Sequence, residues 1–497
     1  MNLPIIWGHM LLDVLQEPRI GSSWHKETER LMKTQFVGQT RYSLYIPESR
    51  AWRATAQSDV SEDYRDYLFA PERMDFRDKI FNEFTVPSIA EAAKGHNLIH
   101  VVSYSESLPD KYRESLERTA ERYPFIQLQM LPDGTHDWGQ VDKLIRERLE
   151  PGVFGRYRLD DDDILSTHYF TEMEKFIKPE FVGMVASMPL GVEAIYDDGH
   201  FYNFRESHLP MNSMGLLYVS ELTKDAKISA ARAGAHDRSD RLAPVILNSS
   251  KPGYFRTNHT GQDNLLRHSK KGVVERLLFD MDRFPAVKDP STLRSNFPAV
   301  ADKLLNVEQA AQIKWNRYLG NGIELKLGQP SQGISVGITG NASEGLRKHP
   351  LALSLSLTSH GGRAVGARAR FTGLSTSANA RVGQFVYFDV GAGEFETFAS
   401  AFLPEGVSVE TVRIIPLVND ARDVLVRDLT VDCSDEKISA TAVDPGVARR
   451  LNRSQRLRRG LAVYGRKYHS LIQPGLVRIL GPNRAEKVRT IIAAKLK

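Results

Sequence analysis

Cysteine is almost missing from this chain: Cys433 is the only one in 497 residues. An internal disulfide and a zinc site built on thiolates are therefore excluded, and the chain is expected to stay in the reducing cytosol. Long apolar runs are missing as well. No stretch approaches the roughly 18 uninterrupted apolar residues that a spanning helix needs. The apolar segment 3–15 is broken by Gly8, His9 and Asp13, and it lacks the basic start of a signal peptide. There is no internal repeat and no low-complexity tract, so a repeat array is not expected. Charge is spread unevenly along the chain. Residues 448–497 hold 14 Lys/Arg and a single acid, Glu486, whereas residues 1–447 hold 52 basic and 60 acidic side chains. The overall net charge of +5 thus hides an acidic body with a strongly basic tail.

What is present reads as a soluble globular protein of two or three domains, with 41% apolar and 26% charged residues. From about 35 to 270, short apolar runs alternate with amphipathic stretches, as in an α/β domain. Strands are expected at 42–46, 97–103, 126–131, 155–159 and 181–186, with helices at 77–93 and 110–122. In the second helix Tyr112, Leu116, Ala120 and Tyr123 recur at helical spacing behind Pro109. Residues 270–320 read as helical, interrupted at Pro285, Pro290 and Pro298. The texture then changes. Residues 322–433 are rich in Gly, Ser, Thr and Val, with Leu351, Leu353, Leu355 and Leu357 at period two and further strands at 385–388, 409–415 and 424–431. Several short strands separated by Gly and Pro turns predict an antiparallel β-sandwich. The expected domains are 1–320, α/β with a helical extension; 321–440, the sandwich; and 445–497, a basic helical tail.

Chemistry concentrates at residues 160–163, where a strand runs straight into four consecutive aspartates. Two carboxylates about 6 Å apart repel by about 3 kcal/mol at an effective dielectric of 20, but by under about 1 kcal/mol in water. Exposed, such a run costs little and means little; at the mouth of a pocket it needs a cation. Oxygen ligands suit Mg²⁺ or Mn²⁺ completed by substrate phosphates, and such an ion would stabilise a nucleoside diphosphate as leaving group. The plain alternative is a solvated loop or the first turn of a helix. Position at a strand end inside an α/β pattern favours a ligand site. Arg158 lies on the same side of the strand as Asp160 by the period-two rule and could simply hold that carboxylate.

Ordered motifs extend this reading: Tyr67 to Arg77 (YLFAPERMDFR), Phe84 to Ser88 (FTVPS), Ser105 to Pro109 (SESLP) and Arg158 to Asp163 (RLDDDD). Together they resemble the bacterial putative rhamnosyltransferase family, glycosyltransferases of the GT-A, Rossmann-like fold. The resemblance covers roughly 35–270. It implies a nucleotide-diphospho-sugar donor and an Asp-x-Asp metal motif on Asp160 and Asp162, with Asp161 and Asp163 next to ribose or sugar. It further implies a later carboxylate as general base. Asp237, in Ala235-His-Asp237, is the preferred base and Asp263 its rival, each otherwise a cap or turn residue. His259 is the candidate third metal ligand, otherwise a hydrogen-bonded structural histidine. Arg41, Arg73 and Arg77 are candidate nucleotide or phosphate contacts, although Arg73 and Arg77 would also suit an exposed helix face.

In the tail, Leu457, Leu461, Tyr464, Tyr468 and Leu471 fall on one helical face, with Arg458, Arg459, Arg466 and Lys467 elsewhere. Such a helix suits an anionic membrane surface, or else packs on the acidic body. At about 1 kcal/mol per engaged basic residue, four or five contacts give roughly millimolar binding. No nucleic-acid motif is present. The expected protein is a metal-dependent, inverting glycosyltransferase on the cytosolic membrane face, acting on a cell-envelope glycan or glycolipid. The alternatives are a non-catalytic, membrane-associated glycan-binding protein and a metal-dependent phosphohydrolase.

Overall fold

The structure, a computed structural model, describes residues 34–443 apart from 48–60, 136–137, 198, 233, 260–269, 288–289, 302, 304–309, 345, 347–348, 360–361, 367–368, 380 and 434–439. The basic tail and Asp263 lie outside the described residues.

The first half contains strands β1 (Gln35–Arg41), β2 (Asn97–Ser105), β3 (Ile126–Leu131), β4 (Gly152–Arg158), β5 (Asp163–Leu165), β6 (Val185–Ser187), β7 (Leu190–Asp197), β8 (His200–His208), β9 (Leu216–Leu222), β10 (Ile228–Ser229), β11 (Val245–Leu247) and β12 (Tyr254–Asn258). Its main sheet has the order β11-β6-β9-β4-β1-β2-β3, with β10 on β9. β1 to β4 pair in parallel, while β9 runs against both of its neighbours, β4 and β6. This is a mixed α/β sheet. Chain order reverses at β1, with β2 and β3 laid on one side and β4 on the other. The carboxyl ends of β1 and β4 therefore flank a switch point, where such sheets bind ligands.

Helices cover both faces, as a largely parallel sheet requires. The helix α1 (Ser61–Leu68) is followed by α2 (Pro71–Ile80), α3 (Val86–Ala92), α4 (Asp110–Arg122) and α5 (Trp138–Arg148). On one face Tyr112 and Leu116 of α4 pack with Val102, Met74, Phe81 and Ile126. On the other, Val141 and Ile145 of α5 pack with Val37, Val101 and Phe154. Neighbouring Val101 and Val102 thus serve opposite faces, as strand pleating dictates.

Between α2 and α3 the helix widens into a π-turn, Phe81–Thr85. Its sequence cause is Pro87, which has no amide hydrogen and whose ring crowds the carbonyl four residues back. The chain keeps going by opening one turn.

A second, four-stranded sheet, β5-β12-β7-β8, was not foreseen from the sequence. β5 begins at Asp163, so the last acidic residue is also the first strand residue, and it pairs with Arg256 of β12.

The remaining strands form two antiparallel sheets around one core. Gly333–Ala342 lies between Gly393–Phe402 and Leu425–Cys433 in one; Leu351–Ser359 lies between Gln384–Phe388 and Val407–Pro416 in the other. Leu351, Leu353, Leu355 and Leu357 point into that core with Ile334, Val336 and Val431, as their period two predicts. Phe388 is fully buried there, whereas Tyr387 lies against His349 with ring centroids 4.9 Å apart and the rings tilted by 31°.

Ala311–Tyr318, read from sequence as helical, is a strand at the sheet edge, paired with Leu425–Cys433. Pro290 and Pro298 open short helices instead of interrupting one, since a first-turn proline lacks only a hydrogen that would go unused. The sandwich docks on β8: Phe402 packs against Tyr202 at 5.3 Å and Phe398 against Phe204 at 5.6 Å. The Asn203 amide also donates to Ser400 Oγ at 3.0 Å. Among the described residues no helix is long and apolar enough to cross a membrane.

Candidate active site

Beneath the acidic run lies a one-way chain of hydrogen bonds. Thr40 Oγ1 donates to the Leu159 carbonyl at 2.9 Å, so it must accept from His100 Nε2, also at 2.9 Å. His100 Nδ1 is then left to accept from Tyr157 Oη at 2.8 Å. This chain crosses β4, β2 and β1 and fixes the carbonyl just before Asp160. Gly38 makes room for it, because a Cβ there would fall 2.1 Å from His100 Nδ1. Burial holds the His100 ring neutral, lowering its pKa to about 3.

The acidic run itself is not a solvated loop. Asp161, Asp162 and Asp163 are 1%, 8% and 6% exposed; Asp160 alone faces outward in part. Backbone and hydroxyl groups fix the run: Thr85 Oγ1 donates to the Asp163 carbonyl at 2.9 Å, and Thr257 Oγ1 donates to that of Asp162. Two of the three buried carboxylates share one guanidinium. Arg77 pairs through Nη1 with Asp161 and through Nη2 with Asp162 Oδ2 at 3.2 Å. The same Asp162 Oδ2 lies 3.2 Å from His259 Nε2, and the fully buried His259 ring lies parallel to Phe76, centroids 6.0 Å apart.

These surroundings separate the aspartates electrically. Burial raises the Asp161 carboxyl to about 6 in spite of Arg77. At Asp162 burial acts in the same sense, but Arg77 and His259 outweigh it and hold the carboxyl well below its usual range. Asp163 is pushed well up, first by burial and then by its acidic neighbours, with Arg256 offsetting little. Burial lowers the His259 pKa more than Asp162 raises it. Of the three buried aspartates, Asp162 is therefore the one whose charged form is most favoured, and it stands beside an imidazole whose charged form burial disfavours.

Of the residues singled out from sequence, the fold brings together Arg77, Asp161, Asp162 and His259. Arg158 donates to Asp160 at 3.1 Å, as period two suggested, at a partly exposed position. Arg73 and Arg77 are not on an exposed helix face: they are 4% and 7% exposed. Arg73 bonds Ser43 Oγ at 2.9 Å and the Leu68 carbonyl at 2.8 Å. It thereby ties down the loop after β1, where Ser43 sits at a φ of 47°. Arg41 ends β1, partly exposed. Asp237 is exposed on the 3₁₀ helix His236–Arg241, which His236 anchors by bonding the Met211 carbonyl at 2.7 Å. Thr85, Thr257 and Ser43 escaped sequence reading because each acts through a contact distant along the chain. Beyond the carboxyl end of β2, Arg65, Phe69, Ser107 and Pro109 line a surface cavity of about 340 Å³.

A divalent ion can be tested against this donor set. Among the described residues no group of three His, Cys, Asp or Glu side chains is arranged to hold a metal. The chemistry nonetheless fits: hard carboxylate oxygens at Asp160 and Asp162, an imidazole at His259, and a buried Asp161 Oδ2 without a hydrogen bond. Such a set is open and would be completed by phosphate oxygens.

Residues 35–263, a little under half of the chain, match the model of the family described as putative rhamnosyl transferase. The resemblance carried by the sequence motifs is borne out over that segment. No curated protein matches the chain. Solved structures that match include residues 1–349 of TarS from S. aureus, 12% identical, covering 50% of this chain and 66% of that one at a TM-score of 0.21. The same TarS fragment in complex with UDP-GlcNAc is 11% identical over 56% of this chain and 72% of that one, TM-score 0.23. The inositol-1-phosphate CTP transferase from T. maritima is 8% identical over 45% and 89%, TM-score 0.22. This chain thus spans just under two thirds of the first TarS fragment, and TM-scores this low have no bearing on the site.

Proposed function

We propose that this protein is a glycosyltransferase of the GT-A type that moves a sugar from a nucleotide-diphospho-sugar donor to an acceptor hydroxyl with inversion. One observation carries the reading: the acidic run stands at the carboxyl end of β4 beside β1, at the reversal of strand order. Three of its four aspartates are also buried and tied by hydrogen bonds and ion pairs to other elements. The family match over 35–263 supports the same class of reaction.

In this reading the donor lies across the carboxyl ends of β1, β2 and β4, with its nucleoside toward Arg41 and the loop that Arg73 braces. Mn²⁺ or Mg²⁺, held by Asp160, Asp162 and His259, would offset the charge that develops on the departing diphosphate. The acceptor oxygen attacks the anomeric carbon as the bond to the diphosphate oxygen breaks. The acceptor's proton passes to a carboxylate base, Asp237 or Asp263. Asp161 and Asp163 shape the floor beneath the sugar. The acceptor is a glycan or glycolipid of the cell envelope, reached from the cytosolic face with the basic tail against anionic lipid.

The test is a panel of nucleotide sugars with Mn²⁺, scored by thermal shift and by release of nucleoside diphosphate. Stabilisation by at least one member, and its loss in a folded Asp160→Ala/Asp162→Ala variant, is expected. Unchanged turnover in that variant would sink the mechanism.

A further inference from the structure

We propose that Arg77 is the site's resident counter-ion, placed by the π-turn, and that it keeps intrinsic divalent-cation affinity low until an anionic ligand arrives. The inference deepens the donor-and-cation reading and rests on it for the identity of the ligand, a diphosphate.

The geometry begins with the helix. Arg77 meets Asp161 and Asp162, and Thr85 meets the Asp163 carbonyl at 2.9 Å. Both side chains must therefore face the same short run. In a regular α-helix eight residues turn about 80° beyond two full turns, which would carry Thr85 off the face that Arg77 uses. The wide turn Phe81–Thr85 rotates less per residue and brings the two back toward one face. The widening that Pro87 forces is thus what allows one helix to hold both ends of the acidic run.

The electrostatics follow. Arg77 is 7% exposed and bridges two carboxylates, so it belongs to the folded core and not to a mobile substrate clamp. A folded chain with Asp161 and Asp162 buried side by side needs that charge whether or not ligand is present. A divalent ion arriving at Asp160, Asp162 and His259 must then sit next to a guanidinium and a carboxylate already in use. Repulsion makes the ion alone a weak ligand. A diphosphate brings negative charge that satisfies both cations, so ion and diphosphate strengthen one another.

Mn²⁺ binding without nucleotide, read by calorimetry on the full chain, separates this from a merely structural role. In Arg77→Met the ion should bind at least tenfold more tightly than in the wild type. Arg77→Lys, which keeps the charge, should bind it as weakly as the wild type. Loss of packing or of a structural bond does not tighten a metal site. If Arg77→Met gives no cooperative melt, Arg77→Gln keeps two N–H donors without the charge and carries the same comparison. A folded neutral variant that binds Mn²⁺ no more tightly than the wild type overturns the proposal, and so does Arg77→Lys behaving like the neutral variants. A gain in Mn²⁺ affinity in a protein that binds no nucleotide sugar would uphold the counter-ion and remove the glycosyl-transfer reading.

Discussion

The hydrogen-bond chain under the site makes a prediction about acid stability that can be worked out in numbers. His100 is fully buried, gives its Nε2–H to Thr40 and takes the Tyr157 hydroxyl proton on Nδ1. Protonation would set two hydrogens against each other at Nδ1 and place a charge in the sheet interior, and burial lowers the ring to about 3. The unfolded ring titrates near its ordinary 6.5. A depressed folded pKa gives a contribution that is complete above 6.5 and lost as pH falls toward about 3. Between pH 8 and pH 5 the unfolded state gains nearly a full proton and the folded ring almost none. At about 1.4 kcal/mol per pH unit, the roughly 1.5 units from 6.5 down to pH 5 amount to about 2 kcal/mol.

His100→Gln keeps a donor and an acceptor and removes the titration. It should cost about 1 kcal/mol at pH 8 through imperfect hydrogen bonds, then lose about 2 kcal/mol less than the wild type on going to pH 5. Hydrogen exchange of peptides from β1, β2 and β4, read by mass spectrometry along a urea series, reports this sheet separately from the sandwich. No two-state assumption for the whole chain is then needed. Equal losses between pH 8 and pH 5 in the two proteins would refute the buried neutral imidazole and the tautomer assigned to it.

Three further outcomes are expected. Arg158→Ala breaks a pair that is more than a third exposed on both sides, so the melting free energy should move by less than about 1 kcal/mol, in contrast to changes at the buried Arg77. Gly191→Ala puts a Cβ 2.4 Å from the Tyr254 ring, and the overpacking should cost about 1–3 kcal/mol, seen as a lower thermal midpoint. An unchanged midpoint would mean that β7 and β12 do not meet as described. Removing 448–497 should shift the protein from the pellet to the supernatant with anionic vesicles while leaving Mn²⁺-dependent nucleotide-sugar binding intact. Continued sedimentation would remove the membrane role of the tail.

The sequence revealed most where a local pattern and the tertiary structure want the same thing. Tyr112 and Leu116 lie at helical spacing, and Asp110–Arg122 is the expected helix. Ile126–Leu131 is the expected strand. The leucines at period two face the sandwich core. The strand read at 155–159 begins earlier, at Gly152, and the one read at 42–46 lies earlier still, at Gln35–Arg41. In β1 the buried polar residues Gln39 and Thr40 interrupt the apolar signal, and they are tolerated only because partners from other strands satisfy them. Ala311–Tyr318 is different: its apolar Ala311, Ile313 and Trp315 alternate with polar Gln312, Lys314 and Asn316 and face the sandwich core, a short period-two signal that was overridden by the helical texture of the residues before it.

The site shows the same division more sharply. Its acidic core was legible, because four aspartates after a strand are conspicuous. What makes the core a site was not. Helix α2 carries its arginines toward the protein interior, so Arg73 and Arg77 look like surface residues to any rule that places charge outside. Their burial follows from partners about 30 and 84 residues away, Ser43 and Asp161. Pro87 was visible, yet its consequence is a wide turn that aligns Arg77 with Thr85. That consequence matters only once β5 has brought the Asp163 carbonyl within reach. Local sequence thus names the charges, and long-range pairing decides which of them are spent on one another. The carboxylates left after Arg77 has taken its share are the ones on which any ligand must act.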